Sequence, residues 1–324
     1  MPARMRAGLR TGLRTGVGCL VLLAGTMVAA GCEIAEITVE QPQPRVVAEI
    51  YLRVSDGVPD AIALLHQTPG PEGAELFEAD VRVRELEGGL EARFSPVALS
   101  VCVEDQVPEE LDVQCFALEF PLAFQIRPGG RYGVTVDVGG GVRMEGSVTL
   151  PGDFTLAAPG QDVTRCRLRP GELFPIRWTR SAGARAYVPE AAILGLDTAL
   201  AGQGIEVPTD PVTLQGLSIS EADTSIVFPS QFGIFNRFSR DGEVLVALQR
   251  GLPAASEVQG LIIVSAQGRN SVNWNRGGNF NPSGTVRVPS LFGTGTGVVA
   301  GIVNRSFSFT TAAEPGLATC AQPG

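Results

Sequence analysis

The sequence predicts a mainly β protein of two sandwich-like domains, and three observations carry that expectation. Glycine and proline are abundant, 40 and 23 of 324 residues, which favours many turns and short strands over long helices. Apolar and polar residues alternate in short runs such as ADVRVREL (79–86), where Val81 and Val83 would face inward and Arg82 and Arg84 outward. A proline- and glycine-bearing stretch, PGDFTLAAPG (151–160), then divides the strand-like runs into two groups, each long enough to bury a core of its own.

The chain begins with a segment of a different kind. Residues 1–16 carry Arg4, Arg6, Arg10 and Arg14 and no acid, and VGCLVLLAGTMVAA (17–30) follows as an apolar run. A spanning helix needs about 20 apolar residues, so this run fits the apolar core of an export signal. It closes on Ala29-Ala30-Gly31-Cys32, and there the pattern resembles the lipobox of bacterial lipoproteins. That resemblance implies removal of residues 1–31 as a signal peptide, a diacylglycerol thioether on Cys32 and acylation of the new amine. Three acyl chains exceed the two signals that stable anchoring takes. Residues 32–44 would be the lipidated cysteine and its tether, with Gln41-Pro42-Gln43-Pro44 favouring an extended spacer. Glu33 stands where an aspartate would retain such a protein at the inner membrane, so the outer membrane of a Gram-negative bacterium is the expected address.

Beyond the tether, residues 45–152 read as an N-terminal β-sandwich. RVVAEIYLRV, AIALLHQ, ADVRVREL, LEARF, VALSVCV and CFALEF are its strand candidates, and RYGVTVDV and VRMEGSVTL are joined through a glycine run. The last hairpin resembles the end of a transthyretin-like or carboxypeptidase-regulatory-like sandwich, an Ig-like layout. Residues 153–165 would be a linker, 166–320 a C-terminal β-rich domain and 321–324 a tail. FPIRWTRSAGARAYVPEAAI (174–193) resembles the B and C strands of a fibronectin type III domain, with Trp178 and Tyr187 as its core pair. Pro189 would break that strand or put it on an edge. GEVLVALQ (242–249) fits a short helix or a strand, and GLIIVSAQ and SFSFTT are further strands.

Composition excludes several functions. The chain has no lysine, so Schiff-base chemistry and a phosphate-loop lysine are both ruled out. The four leader arginines leave 21 basic against 34 acidic residues in the rest, an acidic body that makes a poor nucleic-acid partner. Past Cys19 and Cys32, four cysteines remain: Cys102, Cys115, Cys166 and Cys320. An even number in an oxidising compartment points to disulfides, with three pairings open. Cys102 and Cys115 are close enough to staple a hairpin or loop, and Cys166 would then join Cys320. Metal binding fails on spacing, since there is no C-x-x-C and His66 is the single histidine. No metal and no cofactor is expected.

Catalytic sets fail in the same way. No Ser-His-Asp or Cys-His arrangement exists except around His66, which reads as a sheet-edge or core residue, and G-x-S-x-G is absent. GTGTGVVAG (293–301) has Val298 where a dinucleotide fingerprint needs glycine, so its glycines read as bends between strands. Glu104, Asp105, Glu109, Glu110 and Asp112 match no calcium loop and read as a solvated segment. The most distinctive polar stretch is QGRNSVNWNRGGNFNPSG (267–284), read as a segment of little regular structure. Arg269, Asn270, Asn273, Trp274 and Arg276 make it a candidate binding surface, against a packed loop covering Trp274.

Taken together, Cys32, the strand at 45–52, RYGVTVDV, SAQGRNSVNWN and FGTGTGVVAG resemble an uncharacterised family of bacterial outer-membrane lipoproteins, a domain of unknown function. The resemblance implies an Ig- or transthyretin-like domain followed by a second β-rich domain. It also implies an outer-membrane protein partner, with a role accessory to a TonB-dependent transporter. The expected function is thus a non-enzymatic, lipid-anchored binding protein. The alternatives are an envelope hydrolase working through carboxylates, with or without calcium, and a purely structural protein.

Overall fold

RVVAEIYLRV forms β1 (Val46–Ser55), which turns at Asp56-Gly57 and returns as β2 (Val58–Gln67). Both turn residues have positive φ, 49° and 86°, the two-residue hairpin geometry that an Asp-Gly pair adopts at low cost. The structure is a computed structural model that describes residues 45–68, 78–103, 113–121, 123–139, 141–207, 209–218, 220–233, 241–254, 258–276 and 287–321. The expected signal and tether with Cys32, the acidic run 104–112 and the second half of the 267–284 stretch lie outside the described residues.

Five more strands extend the first hairpin: β3 (Ala79–Glu85), β4 (Glu91–Val97), β5 (Val113–Leu118), β6 (Arg131–Val138) and β7 (Val142–Thr149). They lie in the order β1-β2-β5-β4-β3-β6-β7. Alternate residues of each strand, among them Ile50, Leu65, Val83, Phe94, Phe116, Tyr132 and Met144, join one buried cluster.

The chain then leaves this sheet and builds a second layer. It runs through β8 (Leu156–Ala158), β9 (Arg165–Arg167), β10 (Phe174–Trp178), β11 (Ala186–Leu194), helix α1 (Leu196–Ala201), β12 (Val212–Gln215) and β13 (Ser225–Phe228). Helix α2 (Asp241–Leu248), β14 (Gln259–Gln267) and helix α3 (Arg269–Arg276) follow. Finally β15 (Leu291–Gly293) pairs with β7, and the long β16 (Thr296–Thr310) runs parallel to β1 from Val47↔Thr296 to Ser55↔Asn304.

That last pairing closes a nine-strand β-barrel, β1-β2-β5-β4-β3-β6-β7-β15-β16, whose interior is packed with side chains. The expectation of two sandwiches, Ig- or transthyretin-like and then fibronectin-III-like, is therefore corrected. The physical reason is edge closure: β1 has an unpaired edge that the final strand covers, and a closed sheet leaves none exposed. The glycines of GTGTGVVAG make the seam. A Cβ on Gly297 would lie 2.0 Å from the Ala48 carbonyl oxygen, and one on Gly293 would lie 1.9 Å from that of Arg143. Only hydrogen fits between backbones that close.

β16 serves both layers. Its later residues pair with β14, which continues through β11 to β12, while β13-β10-β8 form a separate three-stranded sheet. Trp178, Tyr187, Ile193, Val264, Phe307 and Phe309 share the second core, and the Trp178 and Tyr187 rings sit 5.3 Å apart. Pro189 lies inside β11 instead of breaking it. It stands opposite Val264 of β14, and its carbonyl accepts a bond from the Gly216 N–H at 2.8 Å. Residues 241–248, open between helix and strand by sequence, are helical, with Val244 and Leu248 buried four residues apart. Cys102 is bonded to Cys115, and Cys166 to Cys320. The second bridge closes 154 residues and ties the chain's last described stretch to β9. In the chain-entropy model such a loop contributes roughly 5 kcal/mol.

Candidate recognition face around α3

Within the stretch expected to lack regular structure, residues 269–276 are in fact a helix. α3 follows β14 directly, and the Val272 N–H donates to the Gly268 carbonyl at 3.1 Å to begin it. Ser271, Val272 and Trp274 are buried while Arg269 and Asn275 are exposed, so the two turns are amphipathic. Only two of its eight residues are apolar, which hides the pattern in a list of asparagines and arginines. The Asn270 amide donates to the carbonyls of Ser147 and Val299, both at 2.9 Å, and so pins the helix start to β7 and β16.

Trp274 is 5% exposed and packs on the outer face of the barrel against Val47, Val298 and Ala300. It is thus a packed side chain and not an exposed tryptophan. Its indole Nε1 is buried without a hydrogen-bond partner among the described residues. The Arg287 guanidinium lies 5.0 Å from the centre of its ring, at cation–π distance.

Arg287 is held there by a carboxylate. Its Nη1 is 3.1 Å from Glu49 Oε1, while the Tyr51 hydroxyl donates to Glu49 Oε2 at 2.7 Å and His66 Nε2 stands 3.8 Å away. These groups share an origin in strand alternation: residues 47, 49 and 51 face out of β1 wherever 48, 50 and 52 face in. Burial by itself pushes the Glu49 carboxyl up. Bonds from His66 and Tyr51, with the positive charge of Arg287, outweigh it and bring the carboxyl below its ordinary value. Burial and the neighbouring Glu49 charge push the Tyr51 phenol far above its own range, so it remains a neutral donor.

Chemically, this network fixes a half-exposed guanidinium over an indole. Among the described residues, the partners of His66 are the Glu49 carboxylate and the Gln67 carbonyl of its own strand, with no serine or cysteine in bonding distance. The described cysteines are all in disulfides.

The other predicted binding residues fall elsewhere. Arg269 and Asn270 line a separate groove of ≈ 570 Å³, together with Arg131 at the start of β6 and Arg185 just before β11. Asn273 is half-buried on α3, and the side chain of Arg276 lies outside the described residues. Sequence reading missed Glu49, Tyr51, Arg131, Arg185 and Arg287. The outward alternation of Glu49 and Tyr51 was visible in β1, but nothing local tells that residue 287 returns to it.

No family model matches the sequence, and no curated protein matches it. Among solved structures, a DUF4785 family protein from Legionella pneumophila subsp. pneumophila str. Philadelphia 1 is similar at 12% identity, over 67% of this chain and 51% of that one, with a TM-score of 0.22. This chain therefore spans about half the length of that neighbour, and a likeness of this degree transfers neither fold nor function.

Proposed function

We propose that this chain is a lipid-anchored protein of the bacterial outer membrane that recognises a ligand or an outer-membrane protein and catalyses no reaction on it. The observation that supports it most is the pairing of the cysteines. Cys102–Cys115 and Cys166–Cys320 are both closed, which suits an oxidising compartment. Past the leader, the one cysteine left over is Cys32, at the lipobox-like junction. The polar network on α3 favours recognition over turnover, because its carboxylate is committed to Arg287, Tyr51 and His66. A role accessory to a TonB-dependent transporter follows from the resemblance of the layout to outer-membrane lipoproteins. Mass spectrometry of the processed protein tests the anchor: the reading expects an acylated cysteine at the new N-terminus, and an unmodified Cys32 overturns it. Cross-linking in cells tests the recognition half, where recovery of the monomer alone under several growth conditions contradicts a protein partner.

A further inference from the structure

We propose that the groove beside the start of α3 binds a small anion of at least two charges, carried on phosphate or carboxylate groups; this rests on the binding-protein reading above and names its ligand class. At ≈ 570 Å³ the groove has the size of a small-molecule site, for which about 300–1,000 Å³ is usual. Three arginines from three elements converge on it: Arg131 from β6, Arg185 from the approach to β11 and Arg269 from α3. Among the described residues, no aspartate or glutamate lines it.

That lining is unusual for this molecule. Acids outnumber arginines beyond the leader, and elsewhere arginines are commonly answered: Arg53 by Asp60, Arg143 by Asp137 and Glu145, Arg305 by Asp153. Arg131 and Arg269 meet no carboxylate among the described residues, and the nearest acid to Arg185 is Glu221 at 3.7 Å, which Arg180 already holds at 2.9 Å. Lone exposed arginines occur at other positions, but a second groove makes the contrast. On β3, β6 and β7, Arg82, Arg84 and Arg143 also share one cavity, and there Glu91, Asp137 and Glu145 stand in its walls. Grouping three cations with only one shared carboxylate, Glu221, within reach is electrostatically unfavourable, and an incoming polyanion reverses that sign.

The geometry suits such a ligand. Asn270 clamps the backbone next to Arg269 through its two bonds to Ser147 and Val299, so that arginine starts from a fixed point. Leu86, 39% exposed, supplies an apolar wall for a carbon body. A guanidinium fork pairs bidentately with phosphate or carboxylate.

Calorimetric titration of the purified full-length protein with pyrophosphate and with citrate, at low salt, tests the proposal. One-to-one binding is expected, weakened about tenfold by Arg131→Gln or by Arg269→Gln, each of which removes charge-assisted bonds. The double variant should bind more weakly still, and Arg84→Gln should leave affinity unchanged. Binding of pyrophosphate alone assigns the site to phosphates and of citrate alone to carboxylates; binding of both assigns it to charge. No heat with either probe, or equal affinity in the double variant, overturns the proposal. All three side chains are exposed, and an unchanged thermal transition confirms that the variants fold. The lysine pair Arg131→Lys and Arg269→Lys keeps charge without the fork, and an affinity between wild type and the glutamines is expected. An unacylated Cys32 would remove the envelope reading and leave this binding result standing.

Discussion

The two halves of α3 treat their arginines in opposite ways. Near its end, Arg287 lies over Trp274 and is bonded to Glu49, which Tyr51 also holds. At its start, Arg269 shares a groove with Arg131 and Arg185 and has no carboxylate beside it among the described residues. The same side-chain type thus serves two ends. A paired arginine on an aromatic ring seals a packed face, whereas the three groove arginines have among them one carboxylate contact, Arg185 to Glu221. All four arginines reach solvent, but Arg287 stands on covered partners, Trp274 and Glu49.

Four experiments break or sharpen that contrast. Trp274→Ala should have the largest effect, about 3–5 kcal/mol by analogy with other buried aromatic truncations, because it uncovers Val47, Val298 and Ala300 together. Urea denaturation checks it, and a loss below about 1 kcal/mol would mean the indole seals nothing. Glu49→Ala comes next, at about 1–2 kcal/mol. Removing one partner of a fully buried pair costs more, but Arg287 is half in solvent, which screens the change. Equal midpoints for variant and wild type would separate Arg287 from the packed face.

Acidification acts on the same carboxylate more gently. Its folded value lies below the ordinary 4.5, so the unfolded chain binds the proton more readily. The contribution is then complete above the unfolded value and is lost as pH falls through the depressed folded one. Stability followed from neutral pH downward should show this slope, and Glu49→Gln should flatten it; an unchanged slope in the variant would assign the pH dependence to other acids. Arg269→Gln should have the smallest effect on stability, within about 0.5 kcal/mol, as for an exposed side chain with no carboxylate partner among the described residues. A larger loss would mean that Arg269 is tied into the fold.

Much of this architecture was visible in the residues, and what was hidden was hidden for one reason. Alternation in RVVAEIYLRV and RYGVTVDV reports which side of a strand is buried, and those strands lie where their patterns put them. Alternation does not name the neighbouring strand. A barrel and a sandwich bury the same faces, so the parallel join of Val47 to Thr296 had no local signature. The glycines of 293–301 were legible as places where backbone must bend or approach, without showing that β1 and β7 are what they approach. α3 was missed because its hydrophobic side is only Val272 and Trp274, set among amides and arginines. The Glu49–Arg287 bond spans 238 residues, and the three groove arginines come from equally separate places. Such sites are assembled by topology, and short-range pattern carries no record of them.

The contrast itself has one direct test: thermal midpoint and pyrophosphate affinity measured side by side on Arg287→Gln and Arg269→Gln. The expected result is a crossed pattern, with Arg287→Gln lowering the midpoint and keeping the affinity while Arg269→Gln keeps the midpoint and weakens binding. Both variants losing the same property, whichever it is, would contradict the division of α3 into a packed end and a ligand-facing end.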